Sequence, residues 1–383
     1  MQFNYLKFIC PFIVACLASP LVAHEEHEHA ASVLVDTSVA QEAVPELLGQ
    51  NGLTYKVDSK WAKTDFKTAP VVNAHALAES RDGHVYLITD HPKNDFIVFK
   101  KDGTLVKTIS SKIGGGHDIE FIVKDDKEYI IHVDCGWYFA EKGWKPLKST
   151  HGRVTILNMD GTVVRTLPSP HELGIYTAKQ SYKPCDVAVT PQGTILIADG
   201  YGSNYIFEMT FEGKLIRNWG GSENGKGSLK NAHGISIDAS DPNKPLVWVS
   251  SRAENKIKAF TLEGEYVDHL ELPGAYAGQL FFRGDLIYTA VCWSKSNEGK
   301  GKKLPQSGFV VVMNRKSKKV VSVLGGSMPE YKDGKLQPLY QTHKIFMHCH
   351  DLYVDKEGAI YVGEWNAKNR YPYKLIPAKS SVK

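Results

Sequence analysis

The sequence predicts an all-β chain folded as a six-bladed β-propeller, and three observations predict it. Strand-forming side chains are abundant: 18 Tyr, 15 Phe and 7 Trp stand among many Val, Ile and Thr, residues that suit the pleated, half-buried surface of a sheet. From Val71 onward one unit recurs, an apolar strand, a turn with Gly or Asp, a second strand ending in Asp or a small polar residue, then a third and often a fourth strand around another Gly. Its copies begin at His75, His117, Cys185, His233, near Gln279 and at His350, spaced 42, 68, 48, about 46 and 71 residues apart. A period in the forties with four short strands per unit is the signature of a propeller, whose blades bury their faces only against their neighbours. No helical periodicity or leucine ladder accompanies the repeat, which excludes a solenoid.

In chain order, Lys7, the apolar run Phe8 to Ala18 and the small-residue exit Ser19-Pro20-Leu21-Val22-Ala23 read as a secretory signal over residues 1–23. A membrane-crossing helix needs about 20 apolar residues; this run is shorter and no later segment approaches that length. A secreted or periplasmic protein without a transmembrane segment is therefore expected. Ile13-Val14-Ala15-Cys16 also resembles a bacterial lipoprotein box, which would put a lipid anchor on Cys16, and that alternative stays open. Residues 24–50 read as a low-complexity tail opened by His24-Glu25-Glu26-His27-Glu28-His29, solvated, or able to hold a borderline metal loosely.

The propeller is assigned to residues 51–383, with Tyr55 to Lys67 expected to supply the outer strand that closes the ring against the blade begun at His350. The two long intervals carry insertions, one after Cys135 to about Gln180, the other after Cys292, comprising Glu298 to Lys303 and Gly325 to Tyr340. A formal charge of only +4, with no basic stripe interleaved with aromatics, excludes nucleic acid as an expected partner. Loss of the signal leaves Cys135, Cys185, Cys292 and Cys349, an even set for which an oxidising compartment permits disulfides without demanding them.

Aligning the copies puts His75, His117, Cys185, His233 and His350 at one register, the entry to the innermost strand, which in a propeller points into the central channel near one mouth. Blades two, four and six are related by about 120° in such a ring and could present three His to one point. A facial set of three His with open positions is what catalytic zinc needs. Asp118, Asp186 and Asp351 follow the channel residues directly. Each could orient an imidazole, bind a hard cation such as calcium, or pair with a backbone amide, and backbone pairing is the plainer reading for Asp118 and Asp186.

With these residues in hand, the chain resembles the peptidyl-α-hydroxyglycine α-amidating lyase family, within the wider class of six-bladed NHL-type propellers. The resemblance is strongest over Cys185-Asp186-Val187-Ala188-Val189, Ala198-Asp199-Gly200-Tyr201 and Phe211 to Gly220, and continues through Ala232-His233-Gly234, Ser251-Arg252-Ala253, Gly308 to Asn314 and His350-Asp351-Leu352. It implies that His117, His233 and His350 bind zinc, or iron in its place. Tyr201 would match the active-site tyrosine, the base, and Arg252 an active-site arginine. Asp351, with carbonyls near Leu77 and Ile119, would match a structural calcium site. Where the family has a second arginine this chain has Asp90-His91-Pro92-Lys93, so that His91 or Lys93 would serve, and Gly202 replaces a disulfide cysteine. His348 stands where the family has methionine; with His75 it could enlarge the metal site, and Cys185 could join as thiolate.

The implied reaction splits a carbinolamide, on a small molecule or a peptide, into an amide and glyoxylate. Two other readings suit the same residues: a non-catalytic NHL-type propeller that binds a peptide, glycan or protein at the channel mouth, and another metal-dependent hydrolase or lyase on this scaffold. Fold alone cannot choose among them.

Overall fold

A computed structural model describes residues 45, 47–139, 146–223, 225–295 and 301–378. The expected signal, Cys16 and the His/Glu tract lie outside them. The propeller belongs to the compact unit Ala40–Lys383. Among the described residues no helix is long and apolar enough to cross a membrane, and the helices present are two single 3₁₀ turns, Gly225–Gly227 and Arg252–Glu254.

Six antiparallel sheets form the blades. Blade one is Ala74–Glu79, Val85–His91, Asn94–Phe99 and Leu105–Ile109; blade two is Gly116–Lys124, Lys127–Asp134, Arg153–Leu157 and Val163–Thr166. Blade three is Asp186–Val189, Ile195–Ala198, Tyr205–Met209 and Leu215–Gly220; blade four is Ala232–Asp238, Leu246–Ser251, Lys256–Phe260 and Tyr266–Glu271. Blade five is Ala275–Arg283, Leu286–Lys295, Phe309–Asn314 and Val320–Leu324. Blade six takes Cys349–Val354, Ile360–Glu364 and Tyr373–Pro377 from the C-terminal end and completes itself with Leu53–Asp58, which pairs with Tyr373–Pro377.

The closing strand thus lies near the expected place but is shorter than Tyr55 to Lys67. Beyond it the chain turns onto blade one, where buried Trp61 packs 5.0 Å from the Phe99 ring and 4.9 Å from that of Tyr361, and Lys63 bridges Thr104. Leu48–Gln50, in the stretch read as tail, adds a fifth strand to the sheet.

The core consists of six apolar clusters, one between each pair of neighbouring blades. Blade three shows why. Val187, Ile195, Ile197, Phe207 and Met209 pack on blade two, while the alternate residues Ala188, Leu196, Ala198 and Ile206 pack on blade four. Alternation along a strand sends successive side chains to opposite faces, and both faces are covered, so the inner strands read as continuous apolar runs rather than as an apolar–polar alternation.

The innermost strands are irregular at the positions that matter for function. Pairing shifts between Ala74 and Ala76, Gly116 and Asp118, Ala232 and Ile235, and Cys349 and Asp351. A bulge therefore falls at His75, His117, His233 and His350, and bulges re-aim the side chain they carry. At blade four the next residue must be glycine: a Cβ on Gly234 would lie 2.2 Å from the backbone nitrogen of Gln279 in blade five.

Closure by Leu53–Asp58 can be checked directly. A chain starting at residue 59 lacks both outer strands of blade six, and its calorimetric midpoint is expected to fall by roughly 10 °C or more, the equivalent of several kcal/mol in a protein of this size. An unchanged midpoint would show that these strands do not hold the ring shut.

Candidate metal centre

Four imidazoles meet in the channel. Ring centroids are 4.9 Å apart for His75 and His117, 4.7 Å for His75 and His350 and 4.6 Å for His117 and His350. His233 completes the group at 5.2 Å from His117 and 5.0 Å from His350. All four are buried. One ligand atom from each of His75, His117 and His350 lies within 4.8 Å of the others. The tightest trio therefore comes from three consecutive blades, six, one and two, rather than from the alternate blades two, four and six, and His233 faces it from across the channel.

Hydrogen bonds set the tautomers. His117 Nδ1 lies 2.6 Å from the Cys185 carbonyl and His350 Nδ1 lies 3.0 Å from the His75 carbonyl. A carbonyl can only accept, so both Nδ1 atoms carry the proton and both Nε2 atoms carry a lone pair. In each case the acceptor is the same-register residue of the next blade, so the ring geometry itself orients the imidazoles. His75 is reversed: its Nε2 donates to Asp90 Oδ2 at 3.0 Å, leaving the lone pair on a buried Nδ1 that has no partner among the described residues. Asp90 is fixed in turn by the Asn73 backbone N–H at 3.0 Å and Asn73 Nδ2 at 2.6 Å. A carboxylate holding the far nitrogen of an imidazole is the usual support of a metal-ligating His.

Burial pushes His233 and His350 well below the ordinary histidine range, helped by Arg252 and the neighbouring imidazoles. They are neutral, as metal ligands must be. Neutral imidazoles with oriented lone pairs suit zinc and its neighbours in the first transition row.

Tyr201 and Arg252 join this cluster. Tyr201 Oη is 2.9 Å from His233 Nε2, and its ring centroid lies 5.4 Å from His117 and 5.2 Å from His233. Arg252 is buried, donates from Nε to Asn231 Oδ1 at 2.7 Å and reaches Tyr201 Oη from Nη2 at 3.3 Å. The residues after the second strands of blades three and four thus meet over the imidazoles.

Other residues singled out in the sequence are placed differently. His348 stands apart from the four imidazoles because both its nitrogens are taken by backbone: Nε2 accepts from Gln306 N at 2.9 Å and Nδ1 donates to the Trp365 carbonyl at 3.1 Å. Cys185 lines the same cavity as His117, but burial pushes its thiol well up and Sγ points to the Lys183 carbonyl, so it is a thiol and not a thiolate. All four described cysteines are free and buried. His91 and Lys93 close the hairpin between the second and third strands of blade one, where the Lys93 N–H donates to His91 Nδ1 at 3.1 Å. Asp90, directly before His91, contacts the cluster through His75.

One step further along the inner strands, Asp118, Asp186 and Asp351 line the same cavity. Burial raises all three, and the mutual repulsion of Asp118 and Asp186, which are hydrogen-bonded to each other, makes that pair share a proton. Their oxygens also take the backbone N–H groups of Val187 and Ile235, the backbone pairing expected for them. Asp351 accepts from Gln279 Nε2 at 3.1 Å and from the Leu77 backbone N–H, its Oδ2 has no partner among the described residues, and burial pushes its carboxyl up to about 8.

Asp90, Trp137, Lys183, Trp293, Lys303 and Trp365 were not recognisable as site residues from the repeat. The signal for two of them was present: a tryptophan follows the strand-ending cysteine in Cys135-Gly136-Trp137 and in Cys292-Trp293, each at the start of an insertion.

No family model matches the chain. Among curated proteins it is similar to the mouse peptidyl-glycine alpha-amidating monooxygenase, 24% identical over 206 residues, 52% of this chain and 19% of that protein. It is likewise 24% identical over 212 residues to the Xenopus laevis peptidyl-glycine alpha-amidating monooxygenase A, 53% of this chain and 20% of that protein. The match thus spans about a fifth of the length of these relatives. Among solved structures a streptogramin B lyase aligns over 81% of this chain and 96% of its own, with a TM-score of 0.46 and 13% identity. The blade count rests on the strand pairings alone.

Asp351 offers a test by pH. Its carboxyl is raised above the ordinary 3.8 to about 8, so the stability it contributes is fully present below the unfolded pKa and is lost as pH rises through about 8. The buried histidines oppose this only below about 6.5, their unfolded pKa. In EDTA, the melting midpoint of the wild type is expected to fall between pH 6.5 and 8, and Asp351→Asn to flatten that fall. An equal slope in both proteins would show that Asp351 is ionised throughout.

Proposed function

We propose that the protein is an exported, metal-dependent carbon–nitrogen lyase that splits an α-hydroxyglycine-type carbinolamide into an amide and glyoxylate. Zinc, or iron in its place, is held by His117, His233 and His350 together with His75. The observation that carries this reading is the junction of the imidazole cluster with Tyr201 and Arg252, in which one phenol oxygen touches both His233 and the guanidinium. The similarity to the amidating monooxygenases supports it.

When bound, such a cation supplies a Lewis acid that polarises a substrate oxygen. The rest falls to the chain's own residues. Arg252, anchored by Asn231, pairs with the substrate carboxylate, and His91 or Lys93 on the blade-one hairpin adds a second positive group. Burial pushes the Tyr201 phenol well above its ordinary range, and Arg252 works against that shift; its ionised form is reached when positive charge gathers around it. Tyr201 Oη takes the proton of the carbinol hydroxyl. The O–H electron pair becomes the carbonyl of glyoxylate, the C–N bond breaks with its electrons going to nitrogen, and Tyr201 returns the proton to that nitrogen as the amide leaves. No water or co-reactant is consumed. Asp90 keeps His75 in register. Asp351, with carbonyls of Leu77 and Ile119, is assigned to calcium, which as a hard cation takes carboxylate and carbonyl oxygens.

Two variants test the reading. Purified wild-type protein is expected to carry zinc or iron near one equivalent by mass spectrometry, and His350→Ala, which removes the imidazole nearest to all the others, to lose it. Tyr201→Phe is expected to lower glyoxylate release from α-hydroxyhippurate by about 10²-fold or more while keeping the metal. Unchanged release in Tyr201→Phe would remove Tyr201 from the chemistry.

A further inference from the structure

Two insertions that the repeat does not require each bring a tryptophan to the Tyr201–Arg252 pair. Trp137 begins the hairpin Trp137–Phe139 with Pro146–Ser149, and its ring centroid is 4.8 Å from that of Tyr201. Trp293 lies in the extension of blade five's second strand, which pairs with Lys303–Leu304, and the Arg252 guanidinium sits 4.9 Å over its ring. The same guanidinium lies 5.8 Å over Tyr201. Each tryptophan also carries a lysine: Lys183 is 4.9 Å over Trp137 and Lys303 is 4.3 Å over Trp293. The mouth therefore runs Lys183, Trp137, Tyr201, Arg252, Trp293, Lys303, with cations set against aromatic faces along its length.

Both halves of this pattern select a ligand. Burial lowers Lys183 and Lys303, and for Lys303 the Arg252 charge adds to the effect; among the described residues neither Arg252 nor Lys303 forms an ion pair with a carboxylate. Arg252 and Lys303, two like charges side by side over Trp293, favour an incoming anion. Trp137 and Trp293 are each part-exposed, and such rings favour a flat apolar body, since ring pairs add about 0.5–1.5 kcal/mol beyond the area they bury. Trp365 lies behind Trp293 at 5.9 Å, so a ring on Trp293 meets an aromatic wall.

We propose that this mouth takes a small carboxylate that carries a planar aromatic group, its charge at Arg252 and its ring against the tryptophans, Trp293 foremost. The proposal deepens the lyase reading by naming its substrate class, and rests on it only for the carboxylate at Arg252.

Equilibrium binding tests it without turnover. Calorimetric titration of the metal-loaded mature protein with benzoylglycine and with acetylglycine compares two ligands of one charge that differ in the ring. Benzoylglycine is expected to bind at least tenfold tighter, Trp293→Ala to bring the two within about threefold by weakening benzoylglycine alone, and Trp293→Phe to keep most of the preference. Equal affinities in the wild type, or an undiminished ratio in Trp293→Ala, would overturn the proposal; should Trp293→Ala not fold, loss of the ratio in Trp293→Leu with retained metal decides. Glyoxylate release from α-hydroxyhippurate separates the two ideas. Aromatic preference without release leaves the pocket standing and the lyase reading fallen, and release without preference does the reverse.

Discussion

Face-to-face packing of six blades around one axis is the constraint on which the rest of the molecule depends. Each blade buries both faces, and the clusters between blades form a closed cycle only because Leu53–Asp58 completes the sheet begun at Cys349. Closure fixes how near the innermost strands approach, and that distance decides whether side chains from far-apart segments touch. Gly234, with no room for a Cβ against Gln279, shows how close the inner strands stand beside His233.

The same closeness creates an electrostatic problem that the channel solves locally. Burial keeps His233 and His350 neutral, while His117 and His350 are oriented by donating to the backbone of the next blade and His75 by donating to Asp90. Buried carboxylates one residue further on share a proton or rise in pKa. An ionised group in such a place is costly unless a counter-charge is close, so the arrangement has lone pairs ready for a cation while holding little net charge of its own. Arg252 enters beside this centre, and its charge helps to keep His233 unprotonated and works against the high pKa of Tyr201. The insertions after Cys135 and Cys292 then build the approach, with aromatic faces and lysines placed where the repeat alone would leave a short loop.

Much of the fold was legible in the sequence because a propeller repeats one local pattern, and a strand buried on both faces writes it in consecutive apolar residues such as Ile195-Leu196-Ile197. The register shared by His75, His117, His233 and His350 was legible for the same reason. Which of those histidines draw closest was not. That depends on bulges at each position and on the partners of each ring, and the grouping of His75 with His117 and His350 follows from Asp90, a residue of the neighbouring strand. His348, two residues before His350 and read as able to enlarge the metal site, has both ring nitrogens taken by Gln306 and Trp365, contacts 42 and 17 residues distant in the chain.

The sequence by itself determined the blade count and the register of the histidines that face the channel, because these follow from local periodicity and from the two-residue alternation of a strand. The outer strands of blade two, Arg153–Leu157 and Val163–Thr166, lie instead in the stretch read as an insertion. Only the tertiary structure decided the tautomers, the trio of imidazoles within reach of one ion, the meeting of Tyr201 with His233 and Arg252, and the pairing of Trp137 and Trp293 with their cations. Those depend on distances across the ring, and such distances exist only after the first strand has paired with the last blade.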